Sequence, residues 1–481
     1  MIHFLSWSKL FCLVLVLGLL GACSGTQPAQ HIELRVPPKW EAPLPHQGSV
    51  IELSHWWESQ GDPVLVELIS KAQSVSPTAS AALARVESAR AQQAASNARL
   101  LPSINVQTGV RRGVALPGAA LATRTDIGLG ASWELDLSGA NRVEQSAAQG
   151  RLKGSEALWH DARVSVAAEV AQLYFGLEVC QAQANLARQD AHSRAETARL
   201  TALSTSVGLS AESDSAMAHA GAAQSSSRLN QQEAQCELQV KGLVALSGIP
   251  EADLKRKIAF PEKGNRKITQ FSIESLPVQV ISQRPDVFSA EREVVWAAAQ
   301  VGTARAARYP RLSLDGFISN VRLANSGASQ DFTLWSFGPL AMDLPLFDGG
   351  RRKATVDFAQ AAYRDAVVAY QGKVRQAVRE VEEAMVNLSS AETRMTATQS
   401  AAAGYARALT ATYARYSQGL ASLLEVEEAR RSALTADNAL LILSLEQRLA
   451  WVSIYRAVGG GFTPEQAFTA VLHAPEPMKA P

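Results

Sequence analysis

Residues 127–137 of this chain read IGLGASWELDL, so apolar side chains alternate with glycine or polar side chains. A period of two is typical of a β-strand that has one apolar and one polar face. The same alternation in residues 104–111 predicts a second strand just before this one. Each predicted strand has about 10 to 13 residues, which is enough to cross a bilayer when the strand is tilted. A soluble sheet packed on helices would alternate in the same way, so the pattern alone leaves both environments open.

A helical pattern follows the predicted strands. Apolar and small side chains recur there at alternating spacings of four and three, namely at Val166, Val170, Leu173, Leu177, Cys180, Ala184 and Ala187. This spacing is typical of a coiled-coil seam. No proline lies between Pro117 and Pro250, and a proline inside a helix costs about 3 kcal/mol. We therefore predict a helix from near Gly139 to near Leu203, about 90 Å long, that turns at Gly208 into a returning helix.

The whole pattern occurs twice, with a repeat of about 210 residues. Leu101-Pro102-Ser103 matches Tyr309-Pro310-Arg311 at an offset of 208, and Val207-Gly208-Leu209 matches Gln418-Gly419-Leu420 at an offset of 211. Such self-similarity indicates two copies of one structural unit, each with two strands and one long helical hairpin. Four strands cannot close a barrel, and open strand edges are not tolerated in lipid because their backbone groups would be unpaired. Several chains must therefore contribute strands if these strands cross a membrane.

The N-terminus has the features of a targeting segment. Lys9 precedes an apolar run, residues 10–20, which is too short to span a bilayer as a helix. Residues 20–23, Leu-Gly-Ala-Cys, then resemble a bacterial lipobox, in which cleavage leaves Cys23 as a lipidated N-terminus. The next residue is Ser24 and not aspartate, which resembles an outer-membrane address in lipoprotein sorting. An ordinary secretory signal with an incidental cysteine is the alternative.

Composition argues against several functional classes. The formal net charge is +1, so no field that would attract nucleic acid is expected. The eight histidines are dispersed and no HExxH or Walker motif occurs, so we predict no enzyme activity, no cofactor and no metal site. Cys180 and Cys236 lie in helical patterns without a CxxC motif, which favours buried small apolar residues over a metal or redox pair. The sequence leaves open whether they meet across a helical hairpin.

Several motifs occur in order at the duplicated spacing. They are Trp56-Trp57 with Asp62-Pro63, Leu101-Pro102-Ser103, Trp133-Glu134-Leu135-Asp136-Leu137, Arg284-Pro285-Asp286-Val287 with Ala290-Glu291-Arg292, Asp343-Leu344-Pro345-Leu346-Phe347-Asp348-Gly349-Gly350, and Tyr416-Ser417-Gln418-Gly419. In this layout the chain resembles the TolC family of outer-membrane efflux channels, and more closely its OprM/NodT-type lipoprotein branch. The resemblance covers nearly all of the chain after the targeting segment. It implies a mainly helical fold with a β-barrel: a homotrimer whose twelve-stranded barrel, with four transmembrane strands per chain, continues into a long coiled-coil α-barrel with a mixed equatorial region.

The resemblance also implies a function. It predicts a passive exit duct for small molecules, such as drugs or other toxic compounds, across the periplasm and the outer membrane. Its expected partners are a periplasmic adaptor (a membrane fusion protein), an inner-membrane pump of the RND type and outer-membrane lipid. The expected location is the bacterial outer membrane, lipid-anchored and extending into the periplasm. The alternative is a structural or adaptor coiled-coil envelope lipoprotein without a conducting pore, but an adaptor would show one hairpin flanked by lipoyl-like halves.

The repeat and the resemblance together predict the domain organisation. The expected segments are a lipoprotein signal peptide at 1–22, an N-terminal extension and equatorial segment at 23–75, a first repeat at 76–275, a second repeat at 276–458 and a C-terminal equatorial tail at 459–481. The strands and hairpins within the repeats are expected at 102–137 and 139–247, and again at 310–347 and 349–457.

The resemblance assigns adaptor contact to the tips of the hairpins. The residues that match the family's Val-Gly-Leu signature are Val207, Gly208 and Leu209 in the first tip and Gly419 and Leu420 in the second. Gln418 replaces the valine of the second signature. Glycine permits a left-handed turn, and an exposed leucine at a turn favours a partner surface. A plain helix-capping turn is the alternative.

The resemblance also places a gate at the periplasmic end. The matching positions are Leu424 for an apolar ring, Glu425 and Glu428 for acidic rings, Tyr416 with Asp214 for a tether between helices, and Arg431 for an arginine near the acid. Glu425 and Glu428 are three residues apart, so they share a helix face, and three-fold symmetry would turn them into stacked carboxylate rings. The chain departs from the family by using glutamate where aspartate is common. A solvated acidic helix face, to which Glu427 also belongs, is the alternative.

Overall fold

The computed structural model describes residue 41 and residues 56–114, 121–258, 277–325 and 327–462. The predicted signal peptide, Cys23 and most of the predicted C-terminal tail lie outside the described residues. The helices are α1 (Trp56–Ser59), α2 (Pro63–Val75), α3 (Pro77–Ala98), α4 (Ala140–Ser206), α5 (Glu212–Ser247), α6 (Glu251–Lys257), α7 (Pro277–Ser282), α8 (Pro285–Ala306), α9 (Arg351–Ser417) and α10 (Leu423–Ala457). The strands are β1 (Ser103–Gly113), β2 (Ala122–Leu135), β3 (Arg311–Asn325) and β4 (Ala328–Asp343).

The four strands form one antiparallel sheet in the order β1-β2-β3-β4. β2 and β3 belong to different repeats, yet they pair from Ala122 opposite Asn325 to Leu135 opposite Leu312. The register between β3 and β4 shifts at a bulge next to Gly316. The predicted mainly helical fold with four antiparallel strands is confirmed.

One face of this sheet carries exposed apolar side chains. The register places Val106, Leu129, Ile318 and Trp335 side by side across the four strands. These side chains are 49% to 74% exposed in the single chain. Burying apolar surface stabilises a protein by about 25 cal/mol per Å². A continuous apolar face that the single chain leaves exposed therefore indicates an apolar environment. We call it the outer face of the sheet.

Two long helical hairpins follow the strands. The first helices of the hairpins, α4 and α9, have 67 residues each, and the returning helices α5 and α10 have 36 and 35. Val166, Val170 and Leu177 of the predicted seam in α4 are buried, and in α9 Val374 and Val381, which are seven residues apart, are buried as well. The apolar four-and-three spacing therefore forms the packed side of each long helix.

Both long helices begin with the same cap. The carboxylate of Asp136 accepts hydrogen bonds from the backbone N–H groups of Asn141 and Arg142 at the start of α4. Asp348 accepts the backbone N–H groups of Gly350 and Arg352 at the start of α9. A carboxylate at this position satisfies backbone donors that have no partner within the helix. The Asp-Leu motif at Asp136 and the Asp-Gly motif at Asp348 thus lie where a strand ends and a long helix begins.

The described residues divide into two compact units. One contains Ala84–Glu156 and Phe288–Gly372 and therefore includes the whole sheet. The other contains the described residues of Arg35–Leu83, Ala157–Val287 and Lys373–Pro481, which include both hairpin tips.

None of the described helices is both long and apolar enough to cross a membrane.

An aromatic cluster in the second unit holds the N-terminal segment. Trp56 stacks on Tyr455 with ring centroids 4.9 Å apart, and Trp57 meets the same ring edge-on at 4.9 Å. Asp62 caps α2 and also accepts a 2.7 Å hydrogen bond from the Tyr174 hydroxyl of α4. The Trp-Trp and Asp-Pro motifs therefore attach the segment before the first repeat to α4 and α10.

A disulfide joins Cys180 of α4 to Cys236 of α5. The sequence left open whether these two cysteines meet across the hairpin, and the structure shows that they do. The two residues are 56 positions apart and face each other only because the helices run antiparallel within one hairpin.

The Arg-Pro-Asp motif forms a buried charge network. Arg284 is 7% exposed and makes two 3.0 Å hydrogen bonds to the carboxylate of Asp286. It also donates to Glu380 at 2.7 Å and to the carbonyl of Ala457 at 2.8 Å. Burial alone would raise the pKa of Asp286, but the hydrogen bonds and charge of Arg284 outweigh it and hold that pKa below its usual value. The motif therefore ties the start of α8 to α9 and to the end of α10.

Candidate functional site

The tip of the first hairpin is a glycine turn. Gly208 has a φ of +77°, which L-residues with a side chain rarely adopt. The N–H of Leu209 donates to the carbonyl of Ser204 at 2.9 Å, and the N–H of Gly208 donates to Thr205 at 3.0 Å. This pair of bonds is a Schellman motif, which ends a helix by satisfying its last carbonyls.

The tip of the second hairpin repeats this turn atom for atom. Gly419 has a φ of +72°. The N–H of Leu420 donates to Arg415 at 2.8 Å, and the N–H of Gly419 donates to Tyr416 at 2.9 Å. The same geometry forms although Gln418 stands where the first tip has valine. The glycine therefore determines the turn, and the residue before it is free to vary.

Both turns leave apolar side chains exposed. Val207 is 64% exposed and Leu209 is 81% exposed at the first tip, while Leu420 and Leu424 are 70% and 69% exposed at the second. A capping turn alone does not require these side chains. A cluster of exposed aliphatic residues indicates a surface that is covered in a larger assembly.

A cavity of about 560 Å³ lies between the two hairpins near their tips. Four of the predicted gate residues line it, namely Asp214, Tyr416, Leu424 and Arg431. Within this single chain no hydrogen bond joins the described side chains of Tyr416 and Asp214. The structure thus brings the predicted tether residues to one cavity without closing the tether inside one chain. Glu425 and Glu428 are not among the residues that line this cavity.

Glu425 has a structural role at the start of α10. Its N–H donates to the Ser422 hydroxyl at 3.2 Å, and its carboxylate accepts the N–H of Ser422 at 2.7 Å. This reciprocal pair is a capping box. The hydrogen bonds from Ser422, with a smaller contribution from the charge of Arg415, hold the pKa of Glu425 below its usual value. Glu425 therefore stays ionised at neutral pH, and its carboxylate is partly engaged by the helix terminus.

Glu428 pairs with Arg431 one helical turn later. The two side chains are 3.0 Å apart and are 64% and 54% exposed. Such an exposed pair contributes little to stability, about 0–1 kcal/mol. It nevertheless places a positive charge directly beside the predicted acidic ring position.

Glu427 was treated in the sequence only as a member of an acidic run, but it connects the two hairpins. The hydroxyl of Thr197 on α4 donates to its carboxylate at 2.9 Å, and Arg430 forms an ion pair with the same oxygen. Glu427 is only 13% exposed and also lines the cavity. Its i,i+3 arginine was visible in the sequence, whereas the contact with Thr197 is long-range and gave no local signal.

A buried ion pair links the hairpins farther from the tips. Arg448 of α10 donates to Glu178 of α4 at 2.7 Å, and the two side chains are 7% and 9% exposed. The Arg448 guanidinium also lies 5.7 Å from the ring centroid of Phe175. Sequence reasoning missed this pair because its members are 270 positions apart.

Comparison with known proteins identifies the family. The family model described as outer membrane efflux protein matches residues 68–249 and 276–460. The chain belongs to the outer membrane efflux protein family. The two matched segments correspond to the two copies that the internal repeat indicates.

Individual relatives agree over nearly the full length. Outer membrane protein OprJ of Pseudomonas aeruginosa is 30% identical over 465 residues, which cover 94% of this chain and 96% of OprJ. Nodulation protein T of Rhizobium leguminosarum bv. viciae is 25% identical and covers 92% of both chains. The solved open state of the MtrE outer membrane channel of Neisseria gonorrhoeae has a TM-score of 0.76 at 25% identity, over 91% of this chain and 98% of MtrE.

Family membership establishes the class of function. The protein is an outer-membrane channel of an efflux system that extends into the periplasm and works with a pump, and it is not an enzyme. The resemblance drawn from the sequence motifs and the predicted channel function are therefore confirmed. The alternative of an envelope lipoprotein without a pore is set aside.

Proposed function

We propose that the chain forms the homotrimeric exit duct of a tripartite efflux system, which carries small toxic molecules passively across the periplasm and the outer membrane. The observation that carries this proposal is the open four-stranded sheet with its exposed apolar outer face. Among the described strands, β1 and β4 form the two edges of the sheet. Such edges are not tolerated in lipid, and pairing β4 of one copy with β1 of the next removes them. Three copies would close a ring of twelve antiparallel strands.

The proposed partners are a periplasmic adaptor and an inner-membrane pump of the RND type. The exposed aliphatic side chains of the two identical tip turns support an adaptor contact, because an adaptor would cover apolar surface that the single chain leaves in water. Cys23 is proposed as the lipid anchor, on the lipobox alone. The domain boundaries predicted from the repeat remain part of this proposal.

The gate is proposed at the tips. Leu424 would narrow the pore and exclude water, as hydrophobic constrictions do. Three copies of Glu425 and Glu428 would bring six carboxylates near one axis, where like charges repel by about 1–4 kcal/mol per pair depending on the effective dielectric. Arg431, already 3.0 Å from Glu428, supplies compensating charge. Tyr416 and Asp214 would form the tether between neighbouring helices, and both residues line the cavity near the tips.

The first test concerns assembly and conductance. Native mass spectrometry of detergent-extracted protein should give a trimer, and the trimer should conduct ions in planar bilayers. A monomer that stays soluble without detergent would contradict the barrel.

The second test concerns the acidic rings. Glu425→Gln with Glu428→Gln should weaken block by magnesium and reduce cation selectivity. Glutamine still forms a capping box, so the substitution removes the charge of Glu425 and leaves the helix start intact. Glu196→Gln is a matched control, because Glu196 forms an exposed i,i+3 pair with Arg199 in α4, just as Glu428 does with Arg431. If the double variant keeps wild-type block and selectivity, the two glutamates form only a solvated helix face.

A further inference from the structure

The strand register divides the outer face of the sheet into levels. Along β2 the side chains on this face are Leu135, Trp133, Ala131, Leu129 and Ile127. From Leu135 to Ile127 the strand rises about 26 Å at 3.3 Å per residue. At a tilt of about 40° this corresponds to about 20 Å along the membrane normal, which approaches the apolar band of about 25 Å typical of outer-membrane barrels. The apolar stretch is therefore long enough to account for the membrane core.

From the level of Ile127 onward the same face becomes mostly polar, because Thr108 and Asn320 lie opposite Ile127. Thr125 and Thr123 continue β2, with Arg322 opposite Thr125 and Arg112 opposite Thr123. At this end of the sheet β1 ends and β2 begins, and β3 ends and β4 begins, whereas α4 and α9 follow the other ends of β2 and β4. Because the helices extend into the periplasm, the turn end faces the cell exterior. Arg112 and Arg322 thus lie on the outside of the sheet, at the level where the outer leaflet's headgroups begin.

The two arginines have room for an anion between them. They are two strands apart and offset by two residues, so their Cα atoms are separated by about 12 Å. The hydroxyls of Thr123 and Thr125 lie at register positions between them on the same face. Both arginine side chains are exposed, and that of Arg322 is 61% exposed.

The contacts of Arg322 are long. Its Nε lies 3.7 Å from the carboxylate of Asp331, and its Nη2 donates to the Ser329 hydroxyl at 3.4 Å. A guanidinium has five N–H donors in a planar fork, so these two contacts do not exhaust it. Asp331 reduces the net positive charge at this level but does not cancel both arginines.

We infer that Arg112 and Arg322 form a binding surface for the phosphate-bearing headgroups of outer-leaflet lipids. The guanidinium fork matches phosphate oxygens in a bidentate geometry, and the adjacent apolar stretch holds the acyl chains of the same lipid. The position next to exposed Val110 and Ile127 favours a lipid over a soluble ligand. This inference rests on the closed barrel proposed above, because only a closed sheet fixes which face meets lipid.

The chain offers an internal control. Arg111 lies directly opposite Arg124 in the register, on the face that points away from the outer side chains. These two arginines are at the same height as Arg112 and Arg322 but would face the lumen. Removing them changes the charge of the sheet equally without touching the proposed lipid surface.

The test measures lipid preference around the reconstituted trimer. The trimer is placed in phosphatidylcholine vesicles with a trace of spin-labelled phosphatidic acid or spin-labelled phosphatidylcholine, and the motionally restricted fraction gives the relative association constant. The wild type should prefer phosphatidic acid, because its phosphate is anionic and accessible, whereas the choline group of phosphatidylcholine offsets the charge of its phosphate. Arg112→Gln with Arg322→Gln should lower that preference by about fivefold per arginine at low salt, as expected for one basic residue near an anionic surface. Lysine at both positions should retain most of the preference because the charge is kept.

Arg111→Gln with Arg124→Gln should leave the preference unchanged. Equal losses in the two glutamine pairs, or no loss in the first pair, would overturn the inference. If the variant with both Arg112→Gln and Arg322→Gln does not assemble, the two single variants are measured instead. Each should lower the preference for phosphatidic acid by about fivefold at low salt, and an unchanged preference would overturn the inference as well. Conductance of the same vesicles separates the two proposals: a conducting trimer without lipid preference rejects only the lipid surface, whereas a failure of the wild type to form a trimer rejects the duct.

Discussion

Replacing Arg448 with methionine should destabilise the contact between α4 and α10. Arg448 and Glu178 are 2.7 Å apart and almost fully buried. Methionine keeps an unbranched apolar stem beside Phe175 but removes the guanidinium. Glu178 would then be left as a buried charge without its partner, and breaking a buried pair in this way costs about 3–5 kcal/mol.

The double variant separates charge from packing. With Glu178→Leu added to Arg448→Met, no charge remains, and replacement of a buried pair by apolar residues is often neutral or stabilising by about 1–4 kcal/mol. The double variant should therefore be more stable than the single one. Arg188→Met is the matched control: its pair with Glu233 has the same 2.7 Å distance, but the side chains are 56% and 43% exposed. Removing such a pair should cost about 0–1 kcal/mol.

The assay is thermal unfolding of the detergent-solubilised protein, followed by circular dichroism at one scan rate. Unfolding rates at a fixed temperature should be compared as well, because unfolding of such assemblies is often irreversible. The reasoning fails if Arg448→Met unfolds like the wild type. It also fails if the double variant is as unstable as the sum of the two single variants, because the pair would then not be coupled.

Three further outcomes are expected. Cys236→Ser should lower the free energy of unfolding by about 4 kcal/mol, since the two linked cysteines are 56 positions apart in the sequence. The reduced wild type should melt at the same temperature as the variant, and an equal melting temperature with and without reductant would contradict the disulfide. Burial, and then the charge of Asp286, raise the pKa of Asp161 in the folded state. The unfolded-state pKa is about 3.9. The free energy of unfolding therefore falls as the pH rises from this value through the folded-state pKa. Asp161→Asn should therefore stabilise the protein at pH 7 but not below about pH 4, and a gain that is independent of pH would refute this cause. Cys23→Ala should abolish labelling with a radioactive fatty acid while trimers still form, and labelling that persists would exclude Cys23.

Periodicity predicted the local elements well. The alternation around Leu129 predicts a strand because successive side chains of a strand point to opposite faces of the sheet. The four-and-three spacing through Val170 and Leu177 predicts a helix because this spacing places apolar side chains on one side of a helix, whichever helix packs against it. The pairing of β2 with β3 could not be obtained this way, since it joins residues from different repeats about 190 positions apart and either edge could in principle have paired with another strand.

The candidate site was predicted less completely. The glycines of both tips were recognised because a left-handed turn leaves a direct mark on the sequence. Ser422 and Glu425 also carry a readable signature of a capping box, Ser-x-x-Glu, but the resemblance assigned Glu425 only to a gate. The contact of Glu427 with Thr197 and the Cys180–Cys236 disulfide depend on which helices lie side by side, and one sequence does not supply that information.

The ladder between β2 and β3 has a consequence for how the number of copies is chosen. This ladder joins the two repeats through the same antiparallel backbone bonds that join β1 to β2 within one repeat. Backbone groups are alike at every position, so the hydrogen bonds of such a sheet do not determine how many hairpins it contains. A ring of four, six or eight hairpins would satisfy the hydrogen bonds equally well. In the proposed assembly the number of copies is therefore decided by side chains and not by the backbone hydrogen bonds of the sheet.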